Sequence, residues 1–170
     1  MISKNIVLIG MPSSGKSTIG KPLSKTLNMQ FIDTDYLIFE REKRALRDIV
    51  NEDGLESFLN IQEDTILEIE AQNHVISTGG SVVYSEKAMN HLKKDGVVIF
   101  LDAKIDDISK RLESGRRFAK NDNQTFEDLY KERLPLYQKY ADITIDCSNK
   151  GIDLIVKEIT EKISVVKWNK

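Results

Sequence analysis

The stretch that most constrains this chain is residues 6–18, IVLIGMPSSGKST. Four apolar residues, Ile6, Val7, Leu8 and Ile9, read as a buried strand, and the chain then meets Gly10. From Gly15 the sequence Gly-Lys-Ser-Thr opens a helix. The pattern is G-x-x-x-x-G-K-S, with a strand before it and a helix after it. The glycines let the backbone turn sharply and approach a ligand closely. The loop N–H groups and the helix N-terminus then face an anion. Ser13, Ser14, Gly15, Lys16, Ser17 and Thr18 are the candidate phosphate-binding residues. Lys16 adds a point charge for the outer phosphates. Ser17 offers a hydroxyl to Mg²⁺, an ion that keeps most of its waters and takes few protein ligands.

The rest of the chain alternates strand and helix candidates. Strands are expected at 6–9, 31–32, 74–77, 97–101 and 143–146. Helices are expected at 15–27, 35–43, 46–51, 55–72, 86–94, 105–113, 126–134 and 151–163, with Pro135 ending the seventh. Such alternation indicates an α/β fold, a mostly parallel five-stranded sheet with helices on both faces. No repeat or linker divides the 170 residues, so one domain spanning 1–170 is expected. Ligands of such sheets gather beyond the C-terminal strand ends. The remaining chemical signals lie there.

Asp33-Thr34-Asp35 follows the second strand. In extended backbone, residues i and i+2 point the same way, so both carboxylates can face the phosphate loop. One carboxylate can serve a metal and the other can orient or deprotonate a nucleophile, the division of labour that phosphoryl transfer needs. A helix N-cap at Thr34 or Asp35 is the competing explanation. Thr78-Gly79-Gly80-Ser81 follows the third strand, where paired glycines expose backbone to a ligand or simply make a tight turn. Arg111, Arg116 and Arg117 flank the polar stretch 114–125, which suits a lid that closes on a nucleotide. Arg133 precedes Pro135 and is a candidate carboxylate clamp. His74, His91 and Cys147 lack metal-ligand spacing. Trp168 is assigned no role.

Charge and cysteine usage narrow the partners. A net charge of −2 gives no basic field for nucleic acid. The single cysteine, Cys147, excludes an internal disulfide and fits a reducing compartment. No apolar run reaches the ~20 residues of a membrane span. The N-terminal residues enter the first strand without a secretory leader. The expectation is a cytoplasmic monomer with neither nucleic acid nor membrane as partner.

In this order the motifs resemble the shikimate kinase family of small P-loop kinases. The matching pieces are 10–18, Phe31-Ile32-Asp33-Thr34-Asp35, Thr78-Gly79-Gly80, 97–101, Arg117, and Arg133-Leu134-Pro135-Leu136-Tyr137 with Ala141-Asp142. The resemblance implies a three-layer P-loop kinase fold with a small substrate-binding helical region at about 34–62 and a lid at about 112–125. It implies ATP and Mg²⁺, with phosphate passing to a ring hydroxyl of shikimate to give shikimate 3-phosphate. By position, Lys16 contacts the outer phosphates, Ser17 and Asp33 hold the metal, and Asp35 works on the acceptor hydroxyl. Gly79 and Gly80 line the acceptor site, Arg117 reaches the nucleotide from the lid, and Arg133 grips the acceptor carboxylate. Residues 146–150 fall where the adenine-side loop lies in such kinases.

The chain departs from the family on the acceptor side. The family pattern Phe-Arg-x-x-Glu is Phe58-Leu59-Asn60-Ile61-Gln62 here, so both the arginine and the glutamate are gone. The third glycine of Gly-Gly-Gly is Ser81, and the lid's Arg-Pro is Arg117-Phe118. The nearest arginine to the altered motif is Arg47. Losing the arginine and glutamate together is coherent, since a lone buried glutamate would lack its cation. Two alternatives stay open on sequence: a kinase for a different small hydroxy compound, and a nucleotide-binding regulatory module without turnover.

Overall fold

A computed structural model of the chain describes residues 4–112, 120–121 and 123–166. Its sheet is built from β1 (Asn5–Ile9), β2 (Gln30–Asp33), β3 (His74–Ser77), β4 (Gly96–Asp102) and β5 (Ile143–Asp146). The strand order is β2-β3-β1-β4-β5, and every neighbouring pair is parallel. The central strands β1 and β4 are covered on both faces, which is why they read as unbroken apolar runs.

Side-chain alternation along the strands sorts the core into two layers. Ile6 and Leu8 of β1, with Val97, Ile99 and Leu101 of β4, face α1 (Lys16–Thr26) and α8 (Ile152–Val165). There they meet Ile19, Leu23, Ile155, Ile159 and Ile163. Val7, Ile9, Val98 and Phe100 face the other way, onto α5 (Glu86–Lys94) and α7 (Phe126–Tyr140) through Met89, Leu92, Tyr137 and Tyr140. Each fully buried aliphatic of this kind contributes about 1.5–3 kcal/mol relative to exposure. A third cluster, Ile38, Ile49 and Phe58, ties α2 (Thr34–Glu42), α3 (Leu46–Asp53) and α4 (Leu55–Leu67) together. It rests on the sheet's edge as the small helical region expected from sequence.

Two boundaries differ from the sequence reading by more than two residues. Helix α4 stops at Leu67 rather than near residue 72, and Asn73 adopts φ +60° to turn the chain into β3. Helix α7 does not end before Pro135 but continues through it to Tyr140. An interior proline costs about 3 kcal/mol through a lost bond and a ring clash. Burial beyond the proline offsets this. The ring of Tyr137 stacks on Phe100 at 5.1 Å, and its hydroxyl donates to the Gly80 carbonyl at 2.6 Å. A capping box at Thr125 and Asp128 fixes the start of the same helix.

Helix α6 (Ile105–Leu112) leads toward the stretch expected to form a lid. Residues 113–119 and 122 of that stretch lie outside the described residues. Among the described residues, no helix is long and apolar enough to cross a membrane.

Candidate active site

The phosphate loop is shaped by three residues with positive φ. Gly10 sits at φ +153° as β1 ends, and a Cβ there would lie 2.8 Å from the Leu101 carbonyl oxygen of β4. Ser13 takes φ +61°, and Gly15, at φ +96°, caps α1. The chain thereby folds back on Lys16. The Lys16 ammonium donates to the carbonyls of Gly10 at 2.8 Å and Met11 at 2.7 Å, and it is only 8% exposed. A buried ammonium needs such partners, and here they also fix where its charge sits. The Ser14 hydroxyl turns inward, 3.5 Å from that ammonium.

Ser17, one residue on, reaches across strand ends. Its hydroxyl donates to Asp33 Oδ2 at 2.7 Å and lies 3.0 Å from the Ser77 hydroxyl. The three residues come from the first turn of α1 and the last residues of β2 and β3, where the sheet order makes β3 the bridge between β1 and β2. The other oxygen of Asp33 caps α2, accepting from the N–H of Asp35 at 3.0 Å and of Tyr36 at 3.4 Å. The cap is thus Asp33 rather than Thr34 or Asp35. Asp35 does not reach the site by strand alternation. It lies in the first turn of α2, and that helix start aims it inward.

Thr34, fully buried, accepts the Gly79 N–H at 3.2 Å and locks the two strand ends together. Gly79 leaves room for two side-chain ends. A Cβ there would come within 2.8 Å of both Asp35 Oδ1 and Gln62 Oε1. At Gly80 the added carbon would meet the Pro12 ring at 2.7 Å. Ser81 donates its hydroxyl to Gln62 Oε1 at 3.0 Å, both side chains being buried.

Arg133 is 1% exposed in the middle of α7. Its Nε donates to the Tyr84 hydroxyl at 3.1 Å, and its guanidinium lies 5.1 Å from the centre of the Tyr84 ring. Tyr84 in turn donates to Glu132, and Gln124 donates to the other oxygen of that carboxylate. Burial raises the Tyr84 phenol above its ordinary range, Glu132 adds to the shift, and Arg133 opposes it. Burial likewise raises the Tyr137 phenol, again against Arg133. Both phenols therefore stay neutral donors beside a fixed cation.

These groups converge on one cavity of about 760 Å³. Its lining includes Ser13, Gly15, Lys16, Ser17, Thr18, Asp35, Gly79, Gly80, Arg111 and Arg133. Arg111 Nη1 donates to the Ser13 carbonyl at 2.9 Å, which places this arginine against the phosphate loop. Arg117, and Arg116 beside it, lie outside the described residues. Ser14 and Asp33 support the lining from behind. Residues 147–150 turn away past β5, and none of 146–150 lines the cavity. The Cys147 thiol is pushed up to about 12, chiefly by burial, so it is no nucleophile.

Sequence reasoning did not find Ser77, Tyr84, Asn51 or Lys120, and it weighed Thr34 only as a helix cap. A serine ending a strand carries no local signal. Sheet order alone makes Ser77 a neighbour of Ser17.

The Ser17 hydroxyl and Asp33 carboxylate are hard oxygen donors. One carboxylate with one hydroxyl suits Mg²⁺, which completes its octahedron with water and phosphate oxygens. Among the described residues there is no group of three or more His, Cys, Asp or Glu that would suggest a different metal centre.

Comparison with known proteins shows the family. The shikimate kinase family matches residues 12–164. A shikimate kinase of Haemophilus influenzae is 36% identical over 166 residues, covering 94% of this chain and 92% of that protein. One of Bacillus mycoides is 34% identical over 164 residues, 95% and 99% of the two chains. Among solved structures, a shikimate kinase from Acinetobacter baumannii in complex with shikimate superposes with a TM-score of 0.89 at 26% identity, covering 98% of this chain and 96% of that one. The Aquifex aeolicus shikimate kinase gives 0.76 at 32% identity, covering 94% and 96%.

Proposed function

The chain belongs to the shikimate kinase family, and from that membership we propose that it is an ATP-dependent kinase phosphorylating a ring hydroxyl of shikimate, giving shikimate 3-phosphate and ADP. The observation that carries this reading is the single cavity that joins the phosphate loop, Asp35 and Arg133. A phosphate donor, a base or orienting carboxylate and an anion clamp thus face one space.

The geometry supports the following division of roles. The N–H groups of 13–18 and the start of α1 receive the β- and γ-phosphates. Lys16, held over the loop by two carbonyls, can exchange one of them for an outer phosphate oxygen without moving far. Ser17 and Asp33 would hold Mg²⁺, which when bound would supply positive charge against the phosphates. Arg111, fixed at Ser13, adds a cation on the nucleotide side. Asp35 receives the acceptor hydroxyl and takes or orients its proton. Gly79 and Gly80 admit the acceptor ring against bare backbone. Arg133 pairs with the acceptor carboxylate, its rotamer fixed by Tyr84. Little covalent chemistry is left for the protein, so positioning and electrostatics supply the rate. We read the chain as one kinase domain, 1–170, acting as a cytoplasmic monomer.

The test is ADP release by purified protein with Mg-ATP across a wide range of shikimate concentrations. Saturable, shikimate-dependent release is expected. Background release at every concentration, from protein that still binds ATP, would overturn shikimate as the acceptor.

A further inference from the structure

Position 59, the arginine of the family motif, is a leucine packed against the Ile38, Ile49 and Phe58 cluster. The same helical wall nevertheless places an arginine at the cavity, from α3. Leu46, Arg47, Val50 and Asn51 all line the cavity, and their spacing puts them on one helix face. Ile49, fully buried against Ile38 and Phe58, sets the rotation of that helix. The direction of Arg47 is thus fixed by packing behind it.

The other arginines of this region are engaged elsewhere. Arg41 pairs with Glu68 at 3.1 Å, and Arg44 makes a forked pair with Asp53 and a further bond to Glu52. Neither lines the cavity. Arg47 has one ion-pair partner among the described residues, its neighbour Asp48, through Nε at 3.4 Å. That contact leaves the two-nitrogen end of the fork in a geometry suited to a carboxylate. Its side chain is 66% exposed, so it can swing onto a ligand without breaking a buried contact.

We propose that Arg47 is the second cation of the acceptor site, closing from α3 on the carboxylate that Arg133 holds from α7. The inference rests on the shikimate reading above. It makes the loss of an arginine at position 59 a relocation of charge to another helix.

The test compares wild type, R47A and R47K on shikimate and on its methyl ester, which keeps the ring hydroxyls and loses the anion. R47A should raise the KM for shikimate by about tenfold or more, the usual worth of a charge-assisted hydrogen bond enclosed with its ligand. The kcat and the KM for ATP should stay within about twofold. R47K should recover part of the loss. On the methyl ester, wild type and R47A should have equal kcat/KM. An unchanged KM for shikimate in R47A, or equal losses on both acceptors, would overturn the assignment while the kinase reading stands. Wild type inactive on shikimate would instead remove the substrate reading, and this inference with it.

Discussion

The hydroxyl of Ser81 donates to Oε1 of Gln62 across 3.0 Å, and both side chains are buried beside Gly79. These are two of the positions at which the chain departs from its family's pattern, and they are in contact. Serine supplies a donor where glycine has none, and glutamine supplies a neutral acceptor where glutamate would bring a charge. A buried charge without a cation is costly, and a satisfied neutral pair is not.

Gln62→Glu should therefore destabilise the protein in a pH-dependent way. The new carboxylate would face Asp35, because both side chains reach within 2.8 Å of the same point beside Gly79. Burial and like charge both raise its folded-state pKa. The sign follows: stability should match wild type below the unfolded value of about 4.3 and fall as pH rises through the folded one. A loss on the order of 1–3 kcal/mol at pH 7.5 is expected. Denaturant melts at pH 4 and 7.5 measure it, and adding Leu59→Arg should recover part of the loss. Equal stability at both pH values would contradict the argument.

Lys16→Ala should lower kcat by about a hundredfold or more, since it removes a fixed cation from the transferring group. The same change takes the donor away from the carbonyls of Gly10 and Met11, both buried residues, so the protein should also lose about 1–3 kcal/mol of stability. Near-normal turnover would remove Lys16 from the chemistry.

Asp35→Asn should separate acceptor chemistry from nucleotide binding. The side chain lies beside Gly79 and lines the cavity, while Asp33 faces Ser17. Turnover should fall by about 10²-fold or more with ATP affinity unchanged, as titration calorimetry would read. A parallel loss of ATP affinity would make Asp35 a nucleotide-side residue.

The two glycines after β3 should fail differently. Gly79→Ala presses on the ends of Asp35 and Gln62, which can rotate away, so catalysis should suffer more than folding. Gly80→Ala presses on the rigid Pro12 ring within the phosphate loop, so ATP affinity and stability should both fall. Melting curves with nucleotide titrations separate the two patterns.

Cys147 should alkylate slowly at neutral pH. Its thiol is pushed up to about 12, chiefly by burial and then by Asp146. The folded state thus keeps a proton that the unfolded thiol releases near pH 8.5. Labelling with iodoacetamide should accelerate only as pH climbs well past 9 or when the protein is unfolded. Rapid labelling of native protein at pH 7.5 would contradict this.

The sheet and the phosphate loop were legible because their signals are local. Ile6–Ile9 is an unbroken apolar run, and Gly15 must take a positive φ where it stands. Asp35 was found for a reason the structure replaces: the cap formed by Asp33 starts α2 one residue earlier, and helix direction rather than strand alternation aims the carboxylate. Pro135 read as a helix end because the cost of an interior proline is visible locally, whereas the stacking of Tyr137 on Phe100 that outweighs it joins distant segments. Ser77 and Arg47 were missed or passed over for the same cause. Their partners are set by strand order and by the packing of Ile49, and neither leaves a mark in the neighbouring sequence.

The strand order has a kinetic meaning. β1 and β2 follow one another along the chain, yet they share no ladder; β3 must enter between them. Until it does, Ser17 and Asp33 are not aligned by a shared sheet. Forming that contact is a non-local event, of the sort that slows folding. A nascent chain that ends after α4 already carries the whole phosphate loop and both aspartates, but not the strand that aligns them. Nucleotide should therefore recognise only chains in which β3 has docked, and its binding should pull partly folded molecules toward the finished sheet. Added during refolding, ATP would act as a late-stage folding ligand before it is ever a substrate.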